Sequence, residues 1–151
     1  MKKIAYIEDW SQWEHDFRFF HPVSVRFSET DMFGHLNNTV PFVYFEEARI
    51  EFFKEIGLME DWVKEDSRTI IVVADLQCDF IQQVFFGEKL KIFVKAATIG
   101  QSSADLHYKG VNQNGNICFV GRGRVVQISK ETHKPSLLTE DMKEKLTQIS
   151  K

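Results

Sequence analysis

Apolar and polar residues alternate through Val23, Ser24, Val25, Arg26 and Phe27, and this two-residue period predicts a strand. The next stretch, Ser28 to Asn38, reads as a turn region broken by Gly34, Asn37 and Asn38. From Thr39 to Ile56 the period lengthens. Phe42, Phe45, Ala48, Phe52 and Ile56 recur at three- and four-residue steps along one stripe, which predicts a long helix. Asn38 or Thr39 is placed to cap its start, and Gly57 is a natural stop. Pro41 is tolerated there, because a first helical turn has no internal partner for its N–H. A second, short helical piece is predicted over 60–66.

Beyond it the chain turns to strands. Thr69–Val84 is rich in Ile, Val and Phe; Leu90, Ile92 and Val94 stand among Lys89, Lys91 and Lys95; Ala104, Leu106 and Tyr108 alternate with Asp105, His107 and Lys109. Asn112 to Asn116, centred on Asn-Gly, is a strong hairpin signal. Ile117–Ser129 makes a last long strand, and Leu138–Ile149 reads as a final helix. A strand, a long helix and four strands in meander order imply an α+β fold, an antiparallel sheet wrapped around one long central helix. The first twenty residues, with Trp10, Trp13, Phe17, Phe19 and Phe20 among mixed charges, fit either a short helix or an arm packed on the body.

Composition adds location to this pattern. The chain has 151 residues, 43% hydrophobic and 27% charged, which suits one domain over 1–151 with a core at roughly 20–135 and terminal additions. It holds 14 Phe, of which nine fall between Phe17 and Phe53, so the excess belongs to the first strand, the loop and the long helix. The net charge of −3 divides unevenly: residues 1–87 carry 8 Lys+Arg and 16 Asp+Glu, whereas residues 88–134 carry 8 and 3. An acidic first half excludes general nucleic-acid coating, which needs many cations on phosphates. The basic stretch suits a small anionic ligand.

Cys78 and Cys118 stand 40 residues apart with no zinc spacing and no CxxC, so buried thiols of a reducing cytosol are expected rather than a disulfide. Lys2 and Lys3 lead into acids and Trp instead of an apolar run, and no stretch approaches a membrane span. A cytoplasmic protein is the expectation.

Thr30 to Asn38 concentrates an acid, an imidazole, two amides and a glycine just before the long helix. Helix-start N–H groups can hold a developing oxyanion, and a nearby carboxylate can attack a carbonyl or deprotonate water. The same residue types also make ordinary turns, so types alone favour a structural role.

The stretch from Val25 to Arg49 changes that balance. Asp31, Gly34, His35, Asn37, Asn38, Phe45, Glu46, Ala48 and Arg49 match a pattern of Asp, two residues, Gly-His, one residue, Asn-Asn and then Phe-Glu-x-Ala-Arg. This closely resembles the signature of hotdog-fold acyl-CoA thioesterases of the 4-hydroxybenzoyl-CoA thioesterase type. Pro41 stands where that family often has Tyr, with Tyr44 one turn later. The resemblance implies hydrolysis of an acyl-CoA to a carboxylic acid and free coenzyme A. Asp31 would be nucleophile or general base, the N–H groups at Asn38 and Thr39 would polarise the carbonyl, and His35 and Asn37 would shape the loop or position water. Phe33 and Tyr44 are the candidates for contact with the acyl group.

Glu46 and Arg49 lie at and within the apolar stripe, so they read first as an ion pair and second as placing a further carboxylate, Glu46, at the site. The phosphates of coenzyme A would fall to the basic stretch: Lys91, Lys95, Arg122, Arg124, Lys130 and Lys134. Lysines on strands also simply solvate a face or guard an edge. No metal or redox cofactor is implied, coenzyme A being part of the substrate, and the resemblance implies a homodimer or homotetramer. The rival readings are a non-hydrolytic acyl-binding protein and a hotdog dehydratase using His35 with Glu46.

Overall fold

In the computed structural model, residues 3–148 are described. Helix α1 (Trp10–His15) precedes strand β1 (Phe19–Ser24), a 3-10 turn (Phe27–Glu29) and the long helix α2 (Val40–Glu55). Then come α3 (Met59–Val63), β2 (Thr69–Val73), β3 (Gln77–Phe80), β4 (Lys89–Ile99), β5 (Ser103–Asn112), β6 (Ile117–Ser129) and α4 (Glu140–Gln148). The long helix thus falls within one residue of its expected ends. The short helix stops before 66, because the Ser67 N–H turns back onto the Lys64 carbonyl. The last helix starts late, at Glu140, where the Thr139 hydroxyl accepts the Met142 N–H as a cap. Its expected end, Ile149, lies outside the described residues.

The strands form one antiparallel sheet in the order β1-β4-β5-β6-β2, with β3 also paired to β6. This corrects the meander reading. Thr69–Val84 is two short strands, both on β6 and neither on β4. Asp75 explains the split: its Oδ1 accepts the Arg124 N–H at 2.8 Å and the Arg122 guanidinium at 2.9 Å. The Ala74 N–H donates to the Arg124 carbonyl. Val73 faces Val125 while Gln77 faces Arg122, so this edge carries one residue more than its partner, a bulge held by a side chain.

The inner face of the sheet curls against α2. Leu90, Ile92 and Val94 of β4 and Ala104, Leu106 and Tyr108 of β5 pack on Phe45, Ala48, Phe52 and Phe53 of the helix. Phe45 stacks on Tyr108 at 4.5 Å between ring centroids. Arg49, buried in the same stripe, donates to the Tyr108 hydroxyl at 3.2 Å, with Glu46 farther off at 4.0 Å. The ion pair expected of Glu46 and Arg49 is therefore the weaker of two contacts; a neutral hydroxyl inside the core is the closer one.

The outer face carries the N-terminal segment, which is both a short helix and an arm. Ile4, Ile7, Trp13 and Phe17 cover Ile117 and Val120, with Phe93 and Val111 alongside. Beneath the arm runs a chain of paired polar groups. Trp13 Nε1–H donates to His107 Nδ1 at 2.8 Å, His107 Nε2 lies 3.1 Å from Asp105, and Asp105 receives the Arg122 guanidinium. Burial pushes the His107 imidazole down to about 4, overriding the opposite pull of Asp105. Lys95 donates to the Trp13 carbonyl at 2.7 Å, and burial lowers its ammonium to about 8. Cys118 is buried and Cys78 half-buried, and neither forms a disulfide.

Candidate active site

The loop before α2 is built to hold one carboxylate in place. Its ends are tied by a bridge between Thr30 and Leu36, and Gly34 takes φ +81°, a left-handed conformation that favours glycine. The Asp31 N–H donates to the His35 carbonyl at 2.8 Å, and the Gly34 N–H returns to the Asp31 carbonyl at 3.1 Å. Within this knot Asp31 Oδ1 accepts the N–H of Phe33 at 2.8 Å and of His35 at 3.1 Å. Asp31 Oδ2 has no hydrogen-bond partner among the described residues.

Glu29 ties the loop to the helix. Its carbonyl accepts the Asn37 N–H, and its carboxylate accepts the Arg26 N–H and the Tyr44 hydroxyl, each at 2.8 Å. Burial and the bond to Glu29 raise the Tyr44 phenol well above its ordinary value. At the helix start the cap differs from expectation. Thr39 makes no side-chain cap; instead Asn37 Oδ1 accepts both the N–H and the hydroxyl of Thr39, each at 3.1 Å. The Thr39 N–H is therefore engaged, and the Asn38 N–H is the one at this junction without a partner among the described residues.

Asp31, His35, Leu36 and Asn38 form one wall of a cavity of about 360 Å³. The other wall is Phe80 to Val84, with Phe119 of β6. The two walls are joined: the Leu36 N–H donates to the Val84 carbonyl at 2.7 Å, and the His35 ring meets Phe85 edge-on at 5.1 Å. Sequence reasoning missed this second wall. The signal available was the pair Gln82-Gln83, polar residues interrupting an apolar run where the strand ends and the chain turns along the cavity.

The structure thus brings together Asp31, His35 and Asn38 at the cavity, with Asn37 and Thr39 behind them as a cap. Other candidates lie elsewhere. Phe33 is 74% exposed, with its ring in solvent, and contributes its N–H to Asp31. Tyr44 is buried against Glu29, and Glu46 is exposed on α2 beside Arg49; neither lines the cavity. By the alternation of strand side chains, Lys91, Lys95, Arg122 and Arg124 project from the outer face. Lys91 sits over the Phe20 ring, Lys95 is under the arm, and Arg122 is held by Asp105 and Asp75. Lys130 and Lys134 are exposed beyond the end of β6. Among the described residues, no group of three or more His, Cys, Asp or Glu is arranged to hold a metal ion. No helix among them is long and apolar enough to cross a membrane.

A curled antiparallel sheet around one helix, with the Asp31 loop at the helix start, is the hotdog fold. The model of the thioesterase-like superfamily matches residues 25–146, and the chain belongs to that superfamily. Among individual proteins it is similar to the uncharacterized protein YsmA of Bacillus subtilis, 49% identical over 97% of each chain. It is also similar to a thioesterase of Thermus thermophilus solved with coenzyme A and Zn. That protein is 28% identical with a TM-score of 0.74, over 89% of this chain and 96% of that one. The DHNA-CoA thioesterase of Staphylococcus aureus shares the fold, with a TM-score of 0.75 at 23% identity over 86% of this chain and 89% of that one.

Proposed function

We propose that the protein is an acyl-CoA thioesterase, releasing a carboxylic acid and free coenzyme A. The observation that carries this reading is Asp31: a half-buried carboxylate on a cavity wall, fixed through one oxygen by two backbone N–H groups, its other oxygen unpartnered. As a general base, Asp31 takes a proton from water while the hydroxide adds to the thioester carbonyl. The Asn38 N–H holds the oxyanion that forms. Collapse breaks the C–S bond, and the thiolate leaves with the proton Asp31 received. As a nucleophile, Asp31 would form an acyl anhydride that water then cleaves. Either route needs only water besides the thioester.

The bound coenzyme A of the Thermus relative supports a coenzyme A thioester as substrate. Lys130 lies eleven residues along and beyond β6 from Phe119, about 36 Å of extended chain. Lys130 and Lys134 thus stand outside the cavity lining of their own chain, and they are assigned to the phosphates of coenzyme A in the site of a second copy. Met32 and Phe33 on the Asp31 loop and Phe85 and Phe86 on the segment after Val84 are exposed, and this apolar surface supports the homo-oligomer this requires.

The test is free-thiol release from a panel of acyl-CoA esters. Thiol release at saturable rates is expected. Binding without thiol release would identify an acyl-binding protein, and loss of a β-hydroxyl without thiol release would identify a dehydratase.

A further inference from the structure

The inner face of β5 runs Ala104, Leu106, Tyr108 and then Gly110, so the row of core side chains stops where the cavity begins. Gly110 faces Phe119 across the β5–β6 ladder. A Cβ at Gly110 would lie 2.9 Å or closer to three carbons of the Phe119 ring, so the ring lies down on the glycine backbone. Behind it stands Phe45, 5.8 Å away and itself stacked on Tyr108, which leaves the ring no room to retreat into the core. On its other flank Phe80 faces it across the β3–β6 ladder, and Phe119 and Phe80 both line the cavity. Of the residues lining that cavity, Phe119 and Val84 are the two buried ones, at 1% and 4% exposure, and so mark its deep end.

We infer that the Gly110–Phe119 pair is the specificity-determining stop of the acyl site. A cavity of about 360 Å³ with a closed deep end gives the acyl group an upper length, which this pair sets. Leu36, Phe80, Ile81 and Val84 give that space an apolar lining, which suits a medium-length aliphatic or small aromatic acyl group. The assignment rests on the proposed acyl-CoA site but not on its chemistry. A smaller residue at 119 deepens the site; a methyl at 110 lifts the ring into it.

The experiment measures binding of non-hydrolysable S-alkyl coenzyme A thioethers, from butyl to tetradecyl, by calorimetry, with thiol release from the matching acyl-CoA esters read in parallel. Wild type is expected to bind more tightly with each methylene up to a limiting length and about tenfold more weakly per methylene beyond. Phe119→Leu moves that break one or two carbons longer, Phe119→Ala about three, and Gly110→Ala moves it shorter. Near-UV circular dichroism checks each fold, and if Gly110→Ala does not fold the two Phe119 variants decide. A break at the same length in wild type and Phe119→Leu, no break at any length, or no binding at all overturns the inference. A break that moves as expected without thiol release supports it and overturns the hydrolase reading alone. Thiol release whose length profile ignores Phe119 does the reverse.

Discussion

On the outer face of the sheet, His107, Asp105, Arg122 and Lys95 each have a close polar partner, and the arm that covers them is held by those bonds. Around Asp31 on the inner side, the backbone is tied as tightly, yet one carboxylate oxygen and the Asn38 N–H are unpartnered among the described residues. Removing polar groups from water is costly without a partner, so a fully paired cluster needs no ligand to explain it. The incompletely paired one leaves an acceptor and a donor open at a cavity wall. The fold accounts for the larger set of charges, and the smaller, incompletely paired set is the one the proposed reaction uses.

The largest stability effect should come from breaking the paired cluster. Arg122→Met takes the guanidinium from Asp105 and Asp75, leaving them His107 and the Arg124 N–H, and should cost about 2–3 kcal/mol in urea denaturation while kcat/KM stays within about twofold. A rise in KM with stability unchanged would instead place Arg122 in contact with coenzyme A. Acid tests the same cluster. The His107 imidazole titrates near 4 when folded, against 6.5 when unfolded, so the unfolded chain binds the extra proton first. Its contribution, about 3 kcal/mol, is complete above pH 6.5 and is lost as pH falls toward 4. His107→Gln should flatten that slope in denaturation curves taken at several pH values.

Smaller effects probe the inner side. Asn37→Ala removes the acceptor that caps α2 through Thr39 and should cost about 1 kcal/mol, with turnover falling several-fold as the Asn38 N–H loses its alignment. Lys54→Ala, which breaks an exposed pair with Glu51, should change the melting curve by only a few tenths of a kcal/mol and leave activity untouched.

Much of this was legible in the residues because it is local. The helix over 39–56 announces itself by its period, the Asp31 loop by its residue types and glycine, and the β5–β6 hairpin by Asn-Gly. What was not legible depends on distant partners. The break at Ala74–Leu76 needs Asp75 to find Arg124, and the arm needs Trp13 to find His107. In the basic stretch, alternation alone does not say which face each cation takes, nor that Arg122 finds Asp105 and Asp75. The phenylalanine excess likewise divides only in three dimensions. Phe45, Phe52 and Phe53 fill the core, Phe17 anchors the arm to the outer face, and Phe27 and Phe33 stand exposed.

The most direct measurement is turnover of an acyl-CoA ester by Asp31→Asn beside wild type, with melting temperature as the control. The amide keeps an oxygen to accept the N–H groups of Phe33 and His35, so the loop should stay folded. It offers neither a base nor a nucleophile, so kcat should fall by about 10²–10⁴-fold with the melting temperature unchanged. Turnover within a few-fold of wild type would show that Asp31 is a structural residue of its loop and that the chemistry lies elsewhere.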